Sequence, residues 1–102
     1  MDEKEIAVRL AKLRIAKGVS ARDMSLSIGQ NPGYINNIET GKTLPSLAGL
    51  FYICEYLGIT PSEFFDENIT EPMKLRTLIN SAKGLNGQQL DTLIAVANGF
   101  KK

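Results

Sequence analysis

Residues 20–42 read SARDMSLSIGQNPGYINNIETGK, and this stretch decides the fold. Ser20 suits a helix N-cap, and Asp23 stands three positions on, the spacing of a capping box. Met24 and Ile28 recur at i, i+4 and define the inward side of one short helix. Gly29 stops it, because glycine enters left-handed backbone without steric cost. Only Gln30 and Asn31 separate it from the next helix, with Asn31 as N-cap and Pro32 at a first position that needs no N–H. That second helix is expected to run from Pro32 to about Thr40 and to close at Gly41. Ile35 and Ile38 are its buried side. At about 100° per residue, Gly33, Asn36, Asn37 and Thr40 gather on the opposite side. A helix so polar on one side is not buried all round.

Upstream, Ile6, Leu10 and Leu13 predict an amphipathic helix over residues 6–17, stopped at Gly18. Val8 and Ile15, with Ala11, form a second apolar stripe, which is expected to meet another segment or a second subunit. Downstream, Lys42 and Thr43 begin an exposed loop that ends at Pro45. Ser46 caps a fourth helix with Leu47, Leu50, Ile53, Cys54 and Leu57 on a broad apolar face, and Gly58 ends it. Thr60, Pro61 and Glu63 are another capping-box start, for a short helix carrying Phe64 and Phe65. Residues 66–71 are acidic and polar and read as a linker. Pro72 opens a sixth helix with Leu75, Leu78, Ile79 and Ala82 on one side, stopped at Gly84. Asn86 and Gln89 cap a seventh, with Leu90, Leu93, Ile94 and Ala97 on one side and a Schellman ending expected at Gly99–Phe100.

These signals predict an all-α chain with no strand. The expected organisation is a five-helix domain over residues 1–66, a linker over 67–71 and a helical hairpin over 72–102. A hairpin that small cannot bury both of its apolar stripes against itself. It must pack on the first domain, on a partner, or on its own copy, which makes it a candidate dimerisation element.

A chain of 102 residues, 43 % apolar and 23 % charged, is an ordinary globular domain and not a disordered one. Cys54 has no second cysteine to bond with; it fits a reducing compartment and core packing. No apolar run approaches the ~18 residues of a membrane span, and the charged start is unlike a signal peptide, so a cytoplasmic, membrane-free protein is expected. The chain has no histidine. It also lacks a glycine-rich phosphate loop, a metal-ligand cluster and a nucleophile–base pair, so no enzyme activity, cofactor or metal is expected. The net charge is only +1, but residues 6–22 hold five bases (Arg9, Lys12, Arg14, Lys17, Arg22) and no acid. Residues 43–73 hold five acids and no base. That asymmetry suggests one surface that attracts phosphate and another turned away, or simply two solvated faces.

The run from Ile6 to Phe65 resembles the Cro/phage-repressor (XRE) family of helix-turn-helix transcriptional regulators. The resemblance rests on Leu10–Leu13–Arg14 before Gly18, then Ser20, Met24, Ile28–Gly29, Tyr34–Ile35, Ile38–Glu39, Gly41–Lys42, Pro45–Ser46–Leu47, Leu57–Gly58–Ile59 and Phe64–Phe65. It implies a five-helix domain whose third helix enters the major groove of double-stranded DNA. It implies base reading by Pro32, Gly33, Asn36 and Asn37, to which the helical period adds Thr40. It implies phosphate contacts from Ser20, Arg22, Tyr34, Lys42 and Thr43, and an ion pair between Arg14 and Glu39. It also implies a homodimer on a two-fold site, acting as a repressor. The chemistry of several positions agrees: asparagine bonds bidentately to adenine, and helix N-termini and bases suit phosphate. Three positions depart from the family pattern. Ala21 stands where many members carry Gln, and Pro32 and Gly33 stand where Gln, Ser, Arg or Thr is usual. Residues 30–40 contain no Lys or Arg. The alternative implied by those departures is a protein-interaction module, or an antitoxin or immunity partner, that keeps the fold without base readout.

Overall fold

The computed structural model describes residues 1–101. Lys102, the last residue of the expected hairpin, lies outside the described residues. Seven helices and no strand are present among the described residues.

Local chemistry sets most helix ends. Asp2 accepts a hydrogen bond from the Glu5 N–H at 2.9 Å and starts α1 (Glu3–Lys17), three residues ahead of the first expected apolar position. Gly18, at φ 79°, closes α1 by donating to the Arg14 and Ile15 carbonyls. Ser20 caps α2 (Ala21–Ser27) through the Asp23 N–H at 3.0 Å. The Asp23 carboxylate returns no bond, so the capping box is only half made; an aspartate is one methylene shorter than the glutamate that normally reaches back.

The next helix, α3 (Tyr34–Glu39), begins two residues later than expected. Asn31 still does capping work, since its side chain accepts from the Gly33 N–H and its carbonyl from the Tyr34 N–H, both at 3.1 Å. Residues 31–34 are therefore a tight turn leading into α3. Ser46 caps α4 (Leu47–Leu57) through the Gly49 N–H. Thr60 and Glu63 make a complete capping box on α5 (Pro61–Phe65), as do Asn86 and Gln89 on α7 (Gly87–Gly99). Between these two lies α6 (Pro72–Ala82). The expected Schellman ending of α7 is absent: Gly99 is not left-handed, and Phe100 caps the helix at φ −79°.

One core joins the first five helices. It contains Leu10 and Leu13 of α1, Met24 of α2, Ile35 and Ile38 of α3, Leu50, Ile53, Cys54 and Leu57 of α4, then Ile59 and Phe64. α3 packs on α1 and α2, while α4 packs on α1 and α5. Leu47 does not join its helix's apolar face; it is 69 % exposed on the first turn of α4. Burial pushes the Cys54 thiol up to about 11, which leaves it an inert packing group.

Arg9, one of the five bases in residues 6–22, does not lie on a solvated face. Its residue is 8 % exposed, and its guanidinium donates to the carbonyls of Phe64 at 2.8 Å, Glu63 at 2.8 Å and Asp66 at 3.1 Å. The physical reason is the end of α5. Its last carbonyls have no intrahelical donor, and a guanidinium offers five N–H groups in one plane.

α6 and α7 stand apart from this core. Among the described residues, Pro72, Met73 and Arg76, all in the first turns of α6, are drawn into the five-helix domain. Further out, Leu78 and Ile94 are each 56 % exposed, and Leu75, Ile79, Leu93 and Val96 are exposed with them. The radius of gyration is 16.2 Å, against about 13 Å for a compact chain of this length. No described helix is long and apolar enough to cross a membrane.

Candidate nucleic-acid interface

The outer face of α3 depends on how firmly its inner face is held. Ile35 lies in the first turn of α3, where backbone N–H groups have no intrahelical acceptor. Ser25, fully buried on α2, fills that need: its hydroxyl accepts from the Ile35 N–H at 3.0 Å and donates to the Ala21 carbonyl at 2.7 Å. One hydroxyl thus ties α2 to the start of α3. Sequence reasoning missed it; the only signal was a small polar residue beside the inward position Met24.

The other end of α3 is held from α1. Arg14 grips the Glu39 carboxylate with two parallel bonds, Nε to Oε2 at 2.7 Å and Nη2 to Oε1 at 2.9 Å. Its Nη1 donates to the Val19 carbonyl at 2.9 Å. The two side chains are 17 % and 11 % exposed, so both charges are largely withdrawn from water. The bond to Glu39 holds the Arg14 guanidinium above its ordinary pKa. Between these two ties, Ile35 and Ile38 sink into the core. α3 is therefore fixed in rotation and in tilt.

The opposite side of α3 is open. Asn36 is exposed, and Asn37 and Gly33 are half-buried. A Cβ on Gly33 would stand 3.9 Å from the Asn37 amide nitrogen, an ordinary contact distance, so a side chain there would border Asn37 without crowding it. The Thr40 hydroxyl donates to the Asn36 carbonyl at 2.8 Å, which occupies its proton while the residue stays exposed. Beyond the helix, the N–H groups of Lys42 and Thr43 both donate to the Asn37 carbonyl, at 2.9 and 3.2 Å. This folds the loop back on α3 while the Lys42 and Thr43 side chains stay exposed. Ser20 spends its acceptor on the α2 cap, and Arg22 stands exposed in the first turn of that helix. Tyr34 is half-buried against the start of α4, where its hydroxyl occupies the space a Cβ on Gly49 would need.

A family model described as helix-turn-helix matches residues 10–64. This chain belongs to the Cro/phage-repressor type of helix-turn-helix proteins. That family consists of DNA-binding transcription regulators, and the match spans the core from Leu10 to Phe64. Searches of curated proteins and of solved structures returned no match.

The helix-turn-helix carries its charge unevenly. Of the five bases in residues 6–22, Arg9 and Arg14 are committed to protein acceptors. Lys17 places its ammonium 5.0 Å from the centre of the Tyr56 ring. Lys12 and Arg22 remain outward with Lys42. The basic first third is therefore not one phosphate-facing surface; much of it holds the fold. Among the described residues, no group of three or more His, Cys, Asp and Glu side chains is placed to hold a metal ion.

Proposed function

We propose that this chain is a sequence-specific regulator of transcription that binds double-stranded DNA as a homodimer, with α3 in the major groove, and represses by occupying its site. The observation that carries the reading is α3 itself: pinned at both ends by Ser25 and Arg14, it presents an unencumbered polar side with two asparagines. Asn36 and Asn37 read base edges, asparagine pairing with adenine N6 and N7. Gly33 and Thr40 border them, Gly33 by letting backbone approach closely and Thr40 by its methyl and lone pairs. Arg22, Lys42, Thr43, Tyr34 and the capped start of α2 at Ser20 take the phosphates on either side and set the register.

The dimer reading is supported by α6 and α7. Their exposed leucine and isoleucine stripes are of the kind that pairing with a second copy buries. A two-fold dimer places two α3 helices on half-sites about 34–36 Å apart, one turn of DNA.

The test is enrichment from a pool of random duplex DNA over a salt series. A single palindrome should be enriched, with affinity falling steeply as salt rises. Asn37→Ala should change which sequence is enriched, and Lys42→Ala should weaken all sequences alike. In the full chain, Leu78→Glu or Ile94→Glu should yield monomers by sedimentation. A second reading, a protein-interaction module or antitoxin-like partner, is favoured by the absence of Lys and Arg from residues 30–40. Weak binding with no enriched sequence would select it.

A further inference from the structure

Glu63 is bonded through both its carboxylate and its backbone carbonyl, and it stands where the two halves of the chain meet. Its Oε1 accepts the Thr60 N–H at 2.9 Å and completes the cap of α5. The same oxygen receives Arg76 Nη2 of α6 at 2.6 Å. Its backbone carbonyl is held by Arg9 of α1 at 2.8 Å. α5 is thus clamped to α1 on one side and gripped by α6 on the other. Pro72 and Met73 seat the base of α6 on the core, but both lie at the helix start. Arg76 is one turn further along, and beyond it the helix is solvent-exposed apart from partial cover at Ala82. Apolar contacts at one end of a rod fix where it begins. A directional bond one turn away fixes which way it points.

We propose that Arg76 is a specificity-determining positioning residue: by bonding Glu63 it sets the angle of α6, the helix from which α7 continues, to the reading helix, and so the spacing of half-sites the dimer accepts. The role rests on the dimeric DNA-binding reading above. The lever supplies the magnitude. α6 has 11 residues, about 16 Å of helix, so a tilt of about 10° at its base moves its far end by about 3 Å. That is close to one base-pair step of about 3.4 Å. One base pair also turns a half-site by about 34° around the duplex axis, so a looser joint widens the accepted spacing only as far as it gives in twist as well as in tilt. Arg76 makes its side-chain hydrogen bond to Glu63 rather than to α3 or its loop, and Glu63 can keep capping α5 without it.

Two measurements on the full chain test this. The first binds duplexes carrying two copies of the enriched half-site at a series of spacings. Wild type should prefer one spacing by tenfold or more over its neighbours. Arg76→Gln should bind the best spacing within threefold of wild type but prefer it by less than threefold, and Arg76→Lys, which keeps the charge, should restore much of the preference. An unaltered profile in folded Arg76→Gln overturns the proposal, and so does an equal loss at every spacing, which marks a merely structural role. The second needs no DNA. Spin labels on Lys12→Cys and Gln88→Cys, diluted with unlabelled chain, should give a distance distribution that widens on adding Arg76→Gln. An unchanged width overturns the positioning role by itself, whereas a wild type that enriches no spaced palindrome overturns the DNA-binding reading and leaves the width to judge the joint.

Discussion

Replacing Ser25 by alanine tests whether one hydroxyl holds the helix-turn-helix together. The side chain is fully buried, and its oxygen is the acceptor for the Ile35 N–H. Alanine fits the same space, so the substitution adds no strain and opens only a small gap. It strands a buried N–H at a helix start, which costs about 1–3 kcal/mol. Alanine gives back about 0.5 kcal/mol as the better helix former. The expected loss is about 1–2 kcal/mol, a sizeable part of the 5–15 kcal/mol typical of a small domain. In melting temperature that is about 5–15 °C. Urea titration should show a lower midpoint with an unchanged slope, because the surface exposed on unfolding is the same. Amide exchange at Ile35 should quicken by more than the global loss explains. Ser27→Ala, at an exposed site of the same helix, should be neutral or slightly stabilising. If Ser25→Ala is as stable as wild type and Ile35 exchanges at its original rate, the hydroxyl does not tie α2 to α3.

Arg14→Ala should lower stability and DNA affinity together, by about 2–4 kcal/mol in unfolding, since it leaves a mostly buried Glu39 charge unpaired; unchanged melting with lost DNA binding would show that Arg14 meets DNA instead. Gly49→Ala should destabilise by up to about 2 kcal/mol, because the new methyl meets the Tyr34 hydroxyl and this outweighs the ~1 kcal/mol that alanine gains over glycine in a helix. The same change in a Tyr34→Phe background should recover most of that loss, and a thermal melt of the four proteins decides it. Arg76 first, then the Thr60 backbone, holds the Glu63 carboxyl below its ordinary pKa. A depressed carboxyl contributes stability that is present above the unfolded-state value, about pH 4.3, and is lost as pH falls through the folded one. Acid titration of wild type against Arg76→Gln should show a shallower acid decline for the variant, and parallel curves would mean that the pair contributes nothing.

The helix boundaries were legible because their causes are local. Ser20, Ser46, Thr60 and Asn86 each bond an N–H three residues on, within the span that sequence spacing can see. The start of α1 was missed because its cap, Asp2, precedes any apolar signal. α3 starts late because the bonds of Asn31 close a turn that resembles a helical start in sequence but has not yet become one. The long-range polar ties were not legible. Arg9 bonds residues more than 50 positions away, and an arginine beside an apolar stripe gives no hint of that. Ser25 bonds across ten positions, and a serine near a helix face is as often outward. The asparagines of α3 could be placed by period alone, since period decides which side a residue occupies. Period could not show that the Thr40 proton is already taken. Nor could it show that the stripes of α6 and α7 stay open, because that depends on what the rest of the chain leaves uncovered.

The groups that hold α3 and the groups proposed to read DNA are almost disjoint, and that has a consequence for how the protein can change. Ser25, Arg14, Ile35 and Ile38 face inward, while Asn36 and Asn37 make no side-chain hydrogen bond that the fold depends on. Asn37 does anchor the following loop, but through its carbonyl, which any residue supplies. Substitutions at 36 and 37 should therefore alter the preferred sequence at nearly constant stability, in the range of ±0.5 kcal/mol usual for surface sites. Glu63 is the opposite case. One oxygen caps a helix and grips the arm, so a change there disturbs the domain and its spacing at once. Sequence preference is then free to vary residue by residue, while half-site spacing is tied to the fold. Related proteins that diverge from this one should differ in the sequence of their half-sites before they differ in the distance between them.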